Sequence, residues 1–169
     1  YIVDRSNIQT YSLASPSLPN KINTQEIGEQ IESIFNYEDK LFIGSGSGLY
    51  IYTIQDDGIP SRTATHTYEF PILPCDPVVA NDTYAYVSLH DGDTGGPCGG
   101  FNNVNELKIF NVEDINNPEL LISYPMNRPK GLGLDGDILF LCDDWAGLKV
   151  FNVSDPLNIV QIAHFDYFN

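Results

Sequence analysis

Asp143-Asp144-Trp145 sets two carboxylates beside the single tryptophan of the chain. That combination suits binding. An indole face stacks on a sugar ring or a cation, and carboxylates accept hydrogen bonds or hold a positive charge. Arg128 and Lys130 lie a short way upstream and, brought to the same face, would neutralise the two acids. A second group is His90, Asp91 and Asp93, at the head of the Gly-rich stretch HDGDTGGPCGGFNNVN over 90–105. Asp143 with Asp91 or Asp93 would give a carboxylate pair of the kind acid–base catalysis uses. Nothing in the spacing demands that pairing. The plainer expectation is solvated loop acids and a Trp145 packed on its neighbours.

Metal chemistry has weaker support. Asp91-Gly92-Asp93 and Asp143-Asp144 offer hard oxygen ligands of the type Ca²⁺ takes. Neither continues into the twelve-residue loop with a terminal Glu that an EF-hand needs. His66, His90 and His164 are far apart and show no zinc-ligand spacing. No metal or other cofactor is expected. GSGSG at 44–48 matches neither the dinucleotide fingerprint nor a nucleophile elbow, and reads as a tight return.

The composition narrows the partners. The 169 residues carry 8 Lys and Arg against 23 Asp and Glu, a net charge of −15. That balance excludes nucleic acid and anionic membrane surfaces as partners. No apolar run is long enough to span a bilayer, so direct membrane insertion is not expected. The chain opens at Tyr1-Ile2-Val3 inside an apparent strand, so any targeting segment would lie outside it. Ten Tyr and nine Phe favour strands, and 14 Gly with 11 Pro supply turns.

The elements that must hold these groups repeat. Leu148-Lys149-Val150-Phe151-Asn152-Val153 matches Leu107-Lys108-Ile109-Phe110-Asn111-Val112. Leu49–Ile54 and Ile8–Leu13 fit beside them. Leu49 lies 41 positions after Ile8, Leu107 lies 58 after Leu49, and Leu148 lies 41 after Leu107. The longer interval holds the Gly-rich insertion. A period near 40 marks a repeat architecture. Ahead of each matched strand stands another: Leu41–Ile43, Tyr84–Val87, Ile138–Leu141. Polar turns precede these at 38–40, 81–83 and 135–137, with first strands at 31–35, 77–80 and 131–134. Last strands are expected at 67–70, 120–124 and 159–165.

Four antiparallel strands in about 41 residues is the size of a β-propeller blade. The expected fold is all-β, with blades at 1–30, 31–72, 73–127 and 128–166, forming part of a larger propeller. GLKVFNVSDPLNIVQIAHF, NELKIFNVEDINNPELLISYP and GLYIYTIQDDGIP also resemble LVIVD repeats. The resemblance is good over 36–166 and weaker before. It implies a β-propeller of the bacterial and archaeal cell-surface or lipoprotein-like kind, with no defined activity.

Blade geometry sorts the loops onto two faces. The loops between second and third strands share a face with the blade-to-blade connections. That face collects His90, Asp91, Asp93, Arg128, Lys130 and Asp143–Trp145. It also collects Cys75, in the connection PILPCDP, and Cys98, in the Gly-rich insertion, and a disulfide between them would restrict the unfolded chain. Cys142 reads as a small buried hydrophobe within a strand. The expected function is a binding or scaffold module at the cell surface, with a protein or carbohydrate partner and association through open blade edges. The alternative is a carbohydrate-active hydrolase or lyase using the loop acids.

Overall fold

The computed structural model describes residues 1–69, 77–90 and 104–166, with 29 and 30 described by backbone alone. The described chain is all-β, in three antiparallel sheets. The first holds β1 (Ile2–Ser12), β2 (Asn20–Tyr37), β3 (Lys40–Ser45), β4 (Gly48–Ile54) and β5 (Pro60–Thr67). The second holds β6 (Val78–Ala80), β7 (Tyr84–His90), β8 (Asn105–Asn111) and β9 (Glu119–Pro125). The third holds β10 (Gly131–Asp135), β11 (Ile138–Cys142), β12 (Leu148–Asn152) and β13 (Val160–Phe165). Strands follow one another in space as they do in sequence, as short hairpin turns require.

The sequence repeat is also a backbone repeat. A residue at the end of β4, β8 and β12 donates to the turn before the preceding strand: Ile54 to Asp39 O at 2.7 Å, Val112 to Thr83 O at 2.8 Å, Val153 to Asp137 O at 2.8 Å. A bulge falls at one repeat position in all three sheets, after Ile51, Ile109 and Val150. Bulges bend a strand and raise its twist, so the outer strands coil alike. The Asn at the end of the Phe-Asn motif caps the following turn. Asn111 Oδ1 accepts from Glu113 N and Asn152 Oδ1 from Ser154 N, both at 2.9 Å. Asp114 and Asp155 then accept from the amides two residues on. These short-range bonds explain why Asn and Asp recur there.

The second sheet is packed on both faces. Phe42, Leu49 and Ile51 of the first sheet meet Ala85, Val87 and Leu89 of the second. Tyr86, Leu107 and Ile109 on its other face meet Leu139, Leu141 and Phe151 of the third. Each buried Val, Leu, Ile or Phe among them contributes about 1.5–3 kcal/mol of transfer free energy. The innermost strands gather, with β6 touching both β2 and β10.

Three strand expectations need correction. Residues 1–30 do not form a separate sheet: β2 runs unbroken from Asn20 to Tyr37, past the expected boundary at 30 and 31, and pairs with β1 and then β3. The first sheet therefore closes over itself, and Ile8, Ile27 and Ile31 cover Leu41, Ile43, Tyr50 and Tyr52. Arg62 locks this closure by donating to Tyr52 Oη at 2.9 Å and to Ile27 O. Second, Ile2–Ser12 is one strand where two were expected. Third, the last strand of the first sheet is Pro60–Thr67; of the expected 67–70, Tyr68 and Glu69 lie beyond it and Phe70 lies outside the described residues. A tight turn at Gln55–Ile59 starts it early, with Gly58 at φ +77° and its amide on Gln55 O at 2.8 Å.

Candidate functional site

The Asp143–Gly147 turn joins β11 to β12. Asp144–Ala146 form a single 3₁₀ turn, closed by Ala146 N on Asp143 O at 2.9 Å and Gly147 N on Asp144 O at 3.0 Å. Asp143 N also donates to Gly147 O at 2.8 Å. Two residues adopt left-handed backbone, Asp144 at φ +47° and Gly147 at φ +74°. Only glycine fits at 147, because a Cβ there would lie 2.2 Å from Phe165 O. Gly48, at the same repeat position, would likewise meet His66 O at 2.2 Å. The Gly-Leu pair of the repeat thus lets the outer strand approach.

Asp143 lies behind this turn, wholly buried. Its carboxylate accepts from Arg128 N at 2.7 Å and Asn127 N at 3.0 Å, and from Lys149 Nζ at 2.5 Å. One side chain therefore ties the β9–β10 connection to the turn and neutralises a lysine. A buried carboxylate needs such pairing, since unpaired burial of charge is very costly. Asp144 faces outward, and its Oδ2 takes Lys130 Nζ at 3.1 Å and Arg128 Nη1 at 3.2 Å. The ring of His164, on β13, holds Ala146 O through Nε2 at 2.6 Å. Trp145 stands on top, 68% exposed. With Asn127, Arg128 and Ala146 it lines an open hollow of about 500 Å³.

The structure thus brings Arg128, Lys130, Asp143, Asp144 and Trp145 together as the sequence suggests, in divided roles. Asp143 is internal and holds the turn from behind, so it is not a surface contact. Trp145 keeps most of its surface exposed. His90 ends β7 and is buried, not on an open loop. Cys142 is exposed, not buried. Asp91, Asp93, Cys75 and Cys98 lie outside the described residues, and so does the expected disulfide. Among the described residues no three His, Cys, Asp or Glu side chains gather as a metal site. None of their helices is long and apolar enough to cross a membrane.

Sequence reasoning missed Lys149, His164 and Asn127. Lys149 left a signal. It pairs in register with Leu141, so it faces the side of the sheet that Leu139 and Leu141 bury. A lysine there needs an acid, and Asp143 continues the same alternation.

No family model and no curated protein matches the chain. Solved structures do. A crystal structure of a protein from Lactobacillus plantarum superposes with a TM-score of 0.75 at 14% identity, over 96% of this chain and 52% of that one. A functionally unknown protein from Desulfotomaculum acetoxidans superposes with a TM-score of 0.69 at 17% identity, over 95% and 49%. The chain spans about half the length of these two proteins. At such identities the likeness shows the shared all-β fold and nothing of activity.

Proposed function

We propose that the chain is a run of propeller-type blades acting outside the cytoplasm, and that it is a binding module whose Trp145 turn contacts a glycan. The observation that carries this is an exposed indole on a turn fixed from behind by Asp143 and from the side by the Asp144 ion pairs. Rigid placement lowers the entropy lost on binding. Asn127 and Arg128 beside the ring supply polar groups that hold sugar hydroxyls, while the ring stacks on the apolar sugar face. Repeated antiparallel sheets, one of five strands and two of four, stacked face to face with inner strands gathered, support the blade reading. The resemblance to LVIVD repeats supports the cell-surface setting.

A hydrolase reading is less well supported. It needs an accessible carboxylate pair, and Asp143 is buried with both oxygens accepting hydrogen bonds. Titration of the protein with oligosaccharides, read by Trp145 fluorescence, tests binding. Product analysis of the same mixtures tests turnover.

A further inference from the structure

One repeat position is aromatic in all three sheets. Phe42 on β3, Tyr86 on β7 and Phe140 on β11 sit opposite Ile51 on β4, Ile109 on β8 and Val150 on β12 respectively. Phe42 is 1% exposed because the second sheet covers it, and Tyr86 is 1% exposed because the third sheet covers it. Phe140 is 39% exposed. The neighbouring positions follow the same rule. Ser88 and Gly44 are buried where Cys142 is exposed. Leu49 and Leu107 are fully buried, while Leu148 is half-buried. Phe165, paired with Leu148, is 63% exposed.

The centre of this face, formed by Phe140, Cys142, Leu148, Val150, Ala163 and Phe165, carries no charge in a chain of net charge −15. Contiguous uncharged apolar faces with exposed aromatic side chains, here Phe140 and Phe165, mark interaction surfaces.

We infer that this outer face of the third sheet seats a further four-stranded sheet of the same repeat, supplied from outside residues 1–166. The partner chemistry is given by the two interfaces already formed. Each receives a face built from aliphatic residues on the second strand, Ala85, Val87 and Leu89 in one case and Leu139 and Leu141 in the other. The two superposed proteins, about twice as long, leave room for such sheets. A second copy of the chain is the less suitable occupant. The corresponding face of its first sheet, Leu41 and Ile43, is already covered by β1 and β2. The inference rests on the blade reading and is independent of the glycan.

Cys142 reports on the seat. The experiment replaces residues 167–169 of the chain with a copy of residues 126–130 followed by a copy of residues 77–125. Alkylation of Cys142 by iodoacetamide is then followed by peptide mass mapping. The expected result is at least tenfold slower labelling of Cys142 than in the unextended chain, unchanged on dilution. Phe140→Asp in the extended chain restores the fast rate. Unchanged labelling overturns the inference, and so does an extension that stays protease-labile for want of a seat. An unextended chain that is protected at high concentration and reactive when dilute overturns it in favour of a second copy. Oligosaccharide titration of the same proteins is a separate readout. Protected Cys142 without glycan binding removes the glycan reading alone.

Discussion

Lys149 Nζ stands 2.5 Å from a wholly buried Asp143 carboxylate, directly beneath the turn that carries Trp145. In the second sheet the position matching Asp143 is Leu89, equally buried. The third sheet therefore holds an ion pair where its neighbour holds an aliphatic side chain.

Breaking that pair from the acid side is expected to be costly. Asp143→Ala leaves Lys149 without its carboxylate and two backbone N–H groups without an acceptor. A loss of about 3–5 kcal/mol follows, seen as a lower urea midpoint. Lys149→Met costs less, because Asp143 keeps the N–H groups of Asn127 and Arg128. Equal losses for the two variants contradict this account.

The glycine that shapes the turn is replaceable only at a cost. Gly147→Ala adds a Cβ against Phe165 O and forces alanine into left-handed backbone, for a loss of about 2 kcal/mol or more. Gly58→Ala meets nothing within 4 Å and carries the backbone strain alone, about 1 kcal/mol. Thermal midpoints of the two variants rank them, and the reverse order contradicts the close approach.

The repeat was legible because its matching strands carry near-identical residues. Leu-Lys-aliphatic-Phe-Asn-Val recurs with its capping Asn, so hairpins, turns and outer strands of the second and third sheets could be read directly. Residues 1–35 were harder. The closure of the first sheet depends on Arg62 bonding both Tyr52 Oη and the backbone of Ile27, a long-range contact that no local period reports. Tyr68 suggests a strand start near 67, while the last strand starts nine positions after Ile51, at Pro60. Arg128, Lys130 and Asp144 converge as their charges suggest. The depth of Asp143 was hidden, since an acid at a core position reads as a loop acid until its lysine is found. The exposure of Cys142 depends on what covers the third sheet, which is not a property of its own strand.

Alkali is expected to weaken the contact between second and third sheets. Burial chiefly, with Tyr84 and Asp137 adding, pushes the Tyr86 phenol up to about 12. The raised value means the folded state keeps its proton longer than the unfolded chain does. Tyr86 thus contributes fully below pH of about 10, and stability falls as pH rises from there toward about 12, by up to about 1.4 kcal/mol per pH unit. Tyr86→Phe should lack that part of the decline. Urea midpoints of both proteins between about pH 9 and 11.5 check this, and parallel curves refute it.

Trp145→Ala is expected to leave the fold untouched. The side chain is mostly exposed, so the change in stability should stay within about 0.5 kcal/mol. An unfolding midpoint shifted well beyond that shows that Trp145 is a packing residue after all.

The binding claim has one direct measurement. Trp145 is the only tryptophan, so fluorescence excited selectively in the indole, beyond the absorption of the ten tyrosines, reports on this turn. Neutral and acidic oligosaccharides are titrated into the folded 169-residue protein, with Trp145→Phe as the partner protein in calorimetry. The account predicts a saturable fluorescence change with at least one glycan, and binding heat that falls at least tenfold in affinity for Trp145→Phe. Flat fluorescence across the panel, or equal calorimetric affinity in the variant, contradicts it.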